Sequence, residues 1–455
     1  MNNLFWFRRD FRLNDNHGLY QALNTGKTFC VFIWDSNILT KLKSDNPRVG
    51  FIYQSLIELN QQLKQYGSSL IIEYGDPQTI LNKLAKQYQI SQVFANEDYE
   101  PLAINRDKNI QESLQSISVK FNLYKDQVIF AKTEILSTQN KPYTIYTPYK
   151  NAWLKALNSN HYQTFDCSKL FNNLHPLNFK QNDDQLKQMG FSLTSLIPAG
   201  VGGATNRLAN FIDRLDKYED TRNIPSLNST SHLGVDLRFG TISIRNLVAL
   251  ATSRHTSGSQ TWLNELIWRE FFSQILYNFP HVVNNAFRSE FNQIKFTNNP
   301  KWFEAWCLGE TGYPIVDAGM KELNQTGFMH NRVRMVCASF LVKDLLVDWK
   351  MGEQYFAQKL LDYELASNNG NWQWCASTGC DAQPYFRIFN PYLQGERFDP
   401  DALYIKKYLP ILDTVDPKHI HNPKSIDLLP NGYPKPIVDH KIMSALAKQM
   451  YSSLV

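Results

Sequence analysis

What the chain lacks narrows its class first. Its six cysteines (Cys30, Cys167, Cys307, Cys337, Cys375 and Cys380) form no CxxC pair and stand beside no histidine cluster. Neither a zinc site nor a disulfide framework is expected, and core thiols are the plain reading. No apolar run reaches the length that crosses a bilayer. The opening MNNLFWFRRDFRLND turns charged after seven positions and lacks the apolar stretch and cleavage site of a secretory leader. A cytoplasmic location is therefore expected. Neither sign of charge dominates: a net charge of +5 with pI ≈ 8.6 permits a polyanionic partner without requiring one. Aromatic residues, by contrast, are plentiful at 13%, with ten tryptophans. Large flat side chains suit core packing, and they also stack on rings such as flavins or bases. At 455 residues, with 43% hydrophobic and 20% charged residues, the composition is globular and the length suggests two or three units.

From Leu4 to about Lys125 short β-branched and aromatic runs (LFWF, FCVFIW, SLIIEY, QVFAN, VKFNLY) alternate with helical patterns. In RVGFIYQSLIELNQQLKQYG the spacing of Val49, Ile52, Tyr53, Leu56, Ile57 and Leu63 predicts a helix, with Gly67 as its C-cap. Five strands joined by crossover helices imply a five-stranded parallel sheet of Rossmann-like type. The turn after the first strand reads RRDFRLND, with no glycine to let a backbone approach a pyrophosphate, so the usual dinucleotide reading fails there. Residues 131–200, rich in Asn, Gln, Ser and Pro, read as an interdomain linker with a few short helices. The expected division is 1–130 for the α/β domain, 131–200 for the linker and 201–455 for an all-helical domain.

Three helical-period segments carry chemistry. In WLNELIWREFFSQIL, the residues Trp262, Glu265, Trp268 and Arg269 recur at intervals of three and four, which joins a carboxylate, indoles and a guanidinium on adjoining surface. In MHNRVRMVCASFLVKDLLVDW, one side of a long helix shows Asn331, Arg334 and Met335, and an apolar stripe runs on to Trp349. The Asn331 amide can both donate to and accept from a flavin N5. In LLDYELASNNGNWQWCASTGC, acids at Asp362 and Glu364 precede small polar residues and the pair Trp372 and Trp374, a composition that admits a bulky ligand better than it fills a core.

Together with WFRRDFRLNDN, KPYTIYTPYKNAW and YFRIFNP, these segments resemble the photolyase and cryptochrome family, most closely the class I cyclobutane pyrimidine dimer photolyases. The resemblance implies a Rossmann-like antenna domain followed by a helical domain that binds FAD and DNA. It implies a FAD cradle of Tyr218, Thr230, Ser231, His232, Leu233, Gly234, Trp262, Glu265, Arg269, Asn331, Arg334, Asp362, Glu364 and Asn368. Glu364 stands where the family usually has Asp, and Gly234 replaces a serine. Arg222, Glu265, Trp268, Asn331, Arg332, Met335, Trp374 and Gln394 match positions that meet DNA and the dimer. Glu265 and Asn331 are the catalytic candidates at the lesion, and the implied activity is light-driven splitting of a dimer flipped out of UV-damaged DNA by a monomeric enzyme, with no metal, membrane or obligate protein partner.

The sequence also departs from the family. Trp372 and Trp349 match the first two tryptophans of the electron relay, but the outer position falls on Phe296, leaving Trp302, Trp306 or a tyrosine as substitutes. In YEPLAINRD, Leu102 and Ala103 replace a folate-anchoring amide and acid, so a second antenna chromophore (folate, deazaflavin or flavin) is not identified. A cryptochrome-type sensor or a (6-4) photolyase shares the fold. The Asn331 amide and the single His330, where a (6-4) enzyme is expected to show a histidine pair, favour the cyclobutane reading.

Overall fold

The computed structural model describes residues 1–180 and 184–454. The chain divides into two compact units and visits each more than once. The first gathers Met1–Pro142, Lys150–Asp216 and Ser231–Asn278; the second gathers Tyr143–Tyr149, Lys217–Thr230 and Phe279–Val455.

The first unit is built on five strands, β1 (Asn2–Phe7), β2 (Lys27–Asp35), β3 (Leu70–Gly75), β4 (Ile90–Asn96) and β5 (Lys120–Tyr124). They pair in the order β3-β2-β1-β4-β5, all parallel. Leu4, Val31, Ile71 and Val93 are fully buried, as expected of strands covered on both faces. Each crossover helix has a local reason to begin where it does: Asn16 caps His17–Thr25 by accepting from Leu19, and Asp76 caps Pro77–Gln87 by accepting from Thr79.

Strand order reverses between β1 and β4, the place where open α/β sheets hold ligands. Here the turn after β1 is occupied by its own charges. Arg8 donates to both carboxylate oxygens of Asp107 at 2.6 and 2.7 Å and to the carbonyl of Asn96, while Asp10 accepts from Arg8 N at 2.7 Å and from Asn96 Nδ2 at 2.6 Å.

The Pro47–Lys64 helix turns slightly away from its expected phase. Val49, Leu56 and Leu63 are buried, but Ile52 and Tyr53 are only partly so and Ile57 is exposed, while Phe51, Leu59 and Asn60 point inward. Asn60 is drawn in because its Oδ1 accepts from Leu70 N at 2.8 Å at the start of β3. Gly67 does not cap the helix: Gln65 does, and Gly67 follows at φ +71° in the left-handed turn that leads back to the sheet.

In the second unit all regular structure among the described residues is helical. The helices Pro300–Leu308, Pro314–Thr326, Asn331–Lys343, Trp349–Lys359 and Leu365–Ala376 pack around a core containing Trp306, Met320, Phe340, Phe356 and Trp372. The expected single long helix from Asn331 to Trp349 is two. The first ends at Lys343, Leu346 adopts φ +49°, and Asp348 caps the next helix by accepting from Lys350 N. The break follows from Asp344, whose fully buried carboxylate takes a hydrogen bond from His440 at 2.5 Å and holds the chain out of helical continuation. Gly352 permits the close approach of Trp372: a Cβ there would lie 2.2 Å from the indole and 2.5 Å from Leu341.

Candidate functional site

The Asn331–Lys343 helix begins at His330, whose ring nitrogen accepts from Arg332 N at 3.2 Å. This cap leaves Asn331 exposed as the first helical residue, with Arg332, Arg334 and Met335 half-buried behind it. Below the cap, the carboxylate of Glu322 accepts from His330 N at 3.1 Å and from the hydroxyls of Tyr404 at 2.7 Å and Tyr408 at 3.2 Å. The turn that presents Asn331 is therefore fixed from beneath.

Arg332 donates to Asn223 Oδ1 at 2.8 Å and lies 4.4 Å over the Phe398 ring, which Arg397 also approaches, at 5.1 Å. Burial depresses the pKa of the Arg332 guanidinium, and the neighbouring positive charges of Arg222 and Arg397 depress it further. Three guanidiniums thus crowd one region, and Arg332 Nε there is buried with no hydrogen-bond partner among the described residues. Such a cluster calls for an anion. Gln394 Oε1 is likewise buried without a partner. Arg397, Phe398 and Asn223 escaped the sequence reading. The cation–aromatic run QGERF, which begins at Gln394, was the available signal.

Arg334 donates from Nε to Met329 O at 2.7 Å and from Nη2 to Asp362 Oδ2 at 2.9 Å. The other oxygen, Asp362 Oδ1, is buried and accepts from nothing among the described residues. A buried carboxylate oxygen without a donor is costly unless a ligand supplies one. Hydroxyl or imide N–H donors of a flavin nucleotide fit that requirement, so the residues present suit the group. Glu364 heads the Leu365–Ala376 helix and accepts from Ser367 Oγ at 3.2 Å. Asn368 donates to Glu353 O and Oε1 at 3.1 and 2.8 Å, which fixes its amide. One turn on, Trp372 is buried in the core, whereas Trp374 is half-buried. Cys375 reaches Met335 O at 3.9 Å and ties this helix to the Asn331 helix. Trp349, Trp372 and Asn368 are therefore core or inward residues, and Asn331, Arg332, Met335 and Trp374 are accessible.

Within the same unit, Tyr218 is buried with the Arg222 guanidinium 5.6 Å above its ring, and Thr230 ends the segment. In the first unit, Ser231 Oγ accepts from Leu233 N at 3.4 Å, His232 adopts φ +53°, and the Gly234–Phe239 helix starts directly after. The helix Ser257–Asn278 carries the tryptophan-rich segment as expected. Trp262 is buried against Phe211 at 5.1 Å, whereas Glu265, Trp268 and Arg269, which follow it at helical intervals, are half-buried. Phe271 and Phe272 hold the Trp268 ring at 5.6 and 5.4 Å, and Arg269 donates to Gln127 O at 2.6 Å. The helix is pinned by Glu270, whose carboxylate accepts from Ile129 N, Phe130 N and Trp153 Nε1 at 2.5–2.9 Å.

The pattern of a parallel α/β sheet, a helical unit with an unsatisfied buried acid and an arginine cluster has counterparts in known proteins. Residues 3–169 match the family described as DNA photolyase, and residues 262–453 match the FAD binding domain of DNA photolyase. A deoxyribodipyrimidine photo-lyase of Synechococcus is 38% identical, covering 99% of this chain and 96% of that protein. Another from Halobacterium salinarum is 37% identical, covering 96% of both.

The chain belongs to the DNA photolyase family.

Its solved relatives agree in fold. The class III photolyase of Agrobacterium tumefaciens superposes with a TM-score of 0.91 at 32% identity over 100% of this chain and 97% of that one. The photolyase of Sulfolobus tokodaii, solved with two FAD molecules, gives 0.85 at 35% over the whole of both. A Synechocystis cryptochrome gives 0.88 at 25% over 99% of each. FAD is thus the cofactor of this photolyase-family chain. The position of the folate-anchoring pair is occupied by Leu102, highly exposed, and Ala103, buried. Among the described residues no helix is long and apolar enough to cross a membrane.

Proposed function

We infer that the chain repairs cyclobutane pyrimidine dimers in UV-damaged DNA with light. The observation that carries this reading is the guanidinium cluster of Arg222, Arg332 and Arg397 beside the exposed Asn331. A polyanionic backbone satisfies those charges, and a dimer must leave the base stack to be acted on, at a cost of a few kcal/mol that its poor stacking lowers.

In this reading Arg222 and Arg332 hold the phosphates flanking the lesion. Trp268 and Trp374 offer indole faces to the bases, Met335 packs beside them, and Gln394 contributes its unsatisfied amide oxygen to the bound strand. Glu265 and Asn331 hydrogen-bond the pyrimidine carbonyls and the flavin edge, orienting one toward the other. Arg334 and Asp362 hold FAD in place: the Asp362 Oδ1 acceptor takes a ligand donor, and Arg334 keeps the carboxylate aimed. When bound and reduced, FAD supplies the light-driven electron that opens the cyclobutane ring and then takes it back. Tyr218, Thr230, Ser231, His232, Leu233 and Gly234 are the residues proposed for its phosphates and adenosine portion, with Trp262, Arg269, Glu364 and Asn368 around the rest.

The test is direct. Reduced, FAD-loaded protein is incubated with dimer-containing oligonucleotide under blue light and in darkness, with a (6-4) photoproduct substrate in parallel. Restoration of intact thymines from the dimer substrate in the light alone is the expected result. Repair of the (6-4) substrate instead, turnover in the dark, or binding of FAD with no repair of either lesion each defeats the reading.

A further inference from the structure

The Pro391–Phe398 helix begins with proline under an Asn390 cap that accepts from Tyr392 N and Leu393 N, and it ends on Phe398. Its last turn is fixed from the residue that follows. Asp399 N donates to Gly395 O at 2.8 Å, and the Asp399 carboxylate accepts from Tyr404 N at 3.0 Å and Ile405 N at 2.9 Å. His421 Nε2 lies 3.0 Å from Asp399 O, and a Cβ on Gly395 would come within 2.9 Å of the same imidazole, so the helix is seated closely on it. The half-buried Phe398 ring therefore has a set position.

Two guanidiniums share that ring. Arg332, from the Asn331–Lys343 helix, has its Cζ 4.4 Å from the centroid, and Arg397, the residue just before Phe398, has its Cζ at 5.1 Å. Like charges this near repel. A carboxylate between them would relieve the repulsion, but it would also compete with an incoming phosphate. Among the described residues no carboxylate pairs with either, and Arg332 donates instead to the neutral amide oxygen of Asn223 at 2.8 Å. The face of an aromatic ring is electron-rich without carrying a formal charge, so it attracts a guanidinium without taking up its N–H donors. Arg222 is placed in the same manner, with its Cζ 5.6 Å over the Tyr218 ring.

We propose that Phe398 is a positioning residue for lesion DNA, holding Arg332 and Arg397 together so that both meet the phosphates of the bound strand. The proposal rests on the photolyase reading. In the free protein the ring offsets part of the repulsion between the two guanidiniums. On binding, the phosphates supply the anion that Arg332 Nε lacks, and no internal ion pair has to break first. Phe398 acts through the two arginines alone.

Full-length, FAD-loaded protein is titrated with fluorescent dimer-containing oligonucleotide at several salt concentrations. Phe398→Leu, which keeps apolar bulk but removes the ring face, should raise the Kd about 5- to 30-fold and make the plot of log K against log salt shallower by about 0.9 for each phosphate contact released. Phe398→Met serves as a second ringless variant with the same expected result, and flavin absorbance retained through gel filtration shows that each variant is folded. Phe398→Tyr, which keeps the face, should match the wild-type protein in Kd and slope. Arg397→Ala should cost less affinity in the Phe398→Leu background than in the wild-type protein, because the arginine is already unseated there. A merely structural fault lowers the fraction of competent protein and leaves the salt slope alone. Ringless variants with the wild-type slope, or Phe398→Tyr as weak as Phe398→Leu, overturn the role of the ring. If the wild-type protein binds dimer-containing DNA no more tightly than undamaged duplex, the photolyase reading itself is what fails.

Discussion

Trp374 lies half-buried on a helix whose other indole, Trp372, is sealed in the core, and two positions of sequence separate the fates of the two rings. A base stacked on Trp374 is worth about 1–3 kcal/mol, so Trp374→Ala should raise the Kd for dimer-containing DNA by about 5- to 150-fold, read by fluorescence anisotropy, with undamaged duplex much less affected. Lys343 offers a second residue-level test. It is fully buried, donates to Ser377 Oγ at 3.0 Å and Tyr385 O at 3.3 Å, and lies 3.8 Å from the Tyr451 ring centroid. Burial, only partly offset by Cys375, lowers its pKa from 10.5 to about 7. Between those values the unfolded chain carries a proton that the native state has shed, so this group makes stability rise as pH increases from about 7 toward 10.5 and contributes no slope below about 7. Urea unfolding at pH 7 and pH 9 should show that gain in the wild-type protein and a smaller one in Lys343→Met. Residue types and intervals exposed Trp372, Trp374 and Asn331 as unusual. They did not say which indole faces water, because that depends on Phe356 and Trp306 closing over Trp372 from other helices.

At the scale of elements, periodicity carried a great deal. All five strand runs became strands, since each is a short apolar block that only a covered sheet can bury. Continuity was harder to read. The apolar stripe from Asn331 to Trp349 looks unbroken, yet the helix stops at Lys343 because Asp344 is claimed by His440, nearly a hundred residues away. Asp348 then restarts the helix that carries Trp349. Asp348→Ala removes that cap and should cost about 0.5–2 kcal/mol, seen as a lower thermal midpoint with FAD binding retained. The Pro47–Lys64 helix turns inward a face shifted from the one its apolar spacing predicts, since the hydrogen bond that Asn60 Oδ1 accepts from Leu70 N of β3 draws a polar residue into the packed face.

At the scale of the whole molecule, the two units are interleaved along the chain. Within the first unit, Arg245 pairs with Asp15 at 2.8 Å and Asp126 at 2.7 Å, and Glu270 accepts from Ile129, Phe130 and Trp153. A fragment of residues 201–455 keeps Arg245 and Glu270 but loses every one of these partners. Stranding a buried charge costs several kcal/mol, so the fragment should show neither a cooperative thermal transition nor FAD retention, checked by circular dichroism and flavin absorbance. The sequence by itself determined the parallel sheet, the helical remainder and the family, because those follow from local periodicity and from motifs read in order. Only the tertiary structure decided which part of the chain belongs to which unit, that Asp362 keeps an acceptor in reserve, and that Trp306 packs against Trp372. Each of these depends on side chains distant in sequence competing for the same buried space and the same hydrogen bonds.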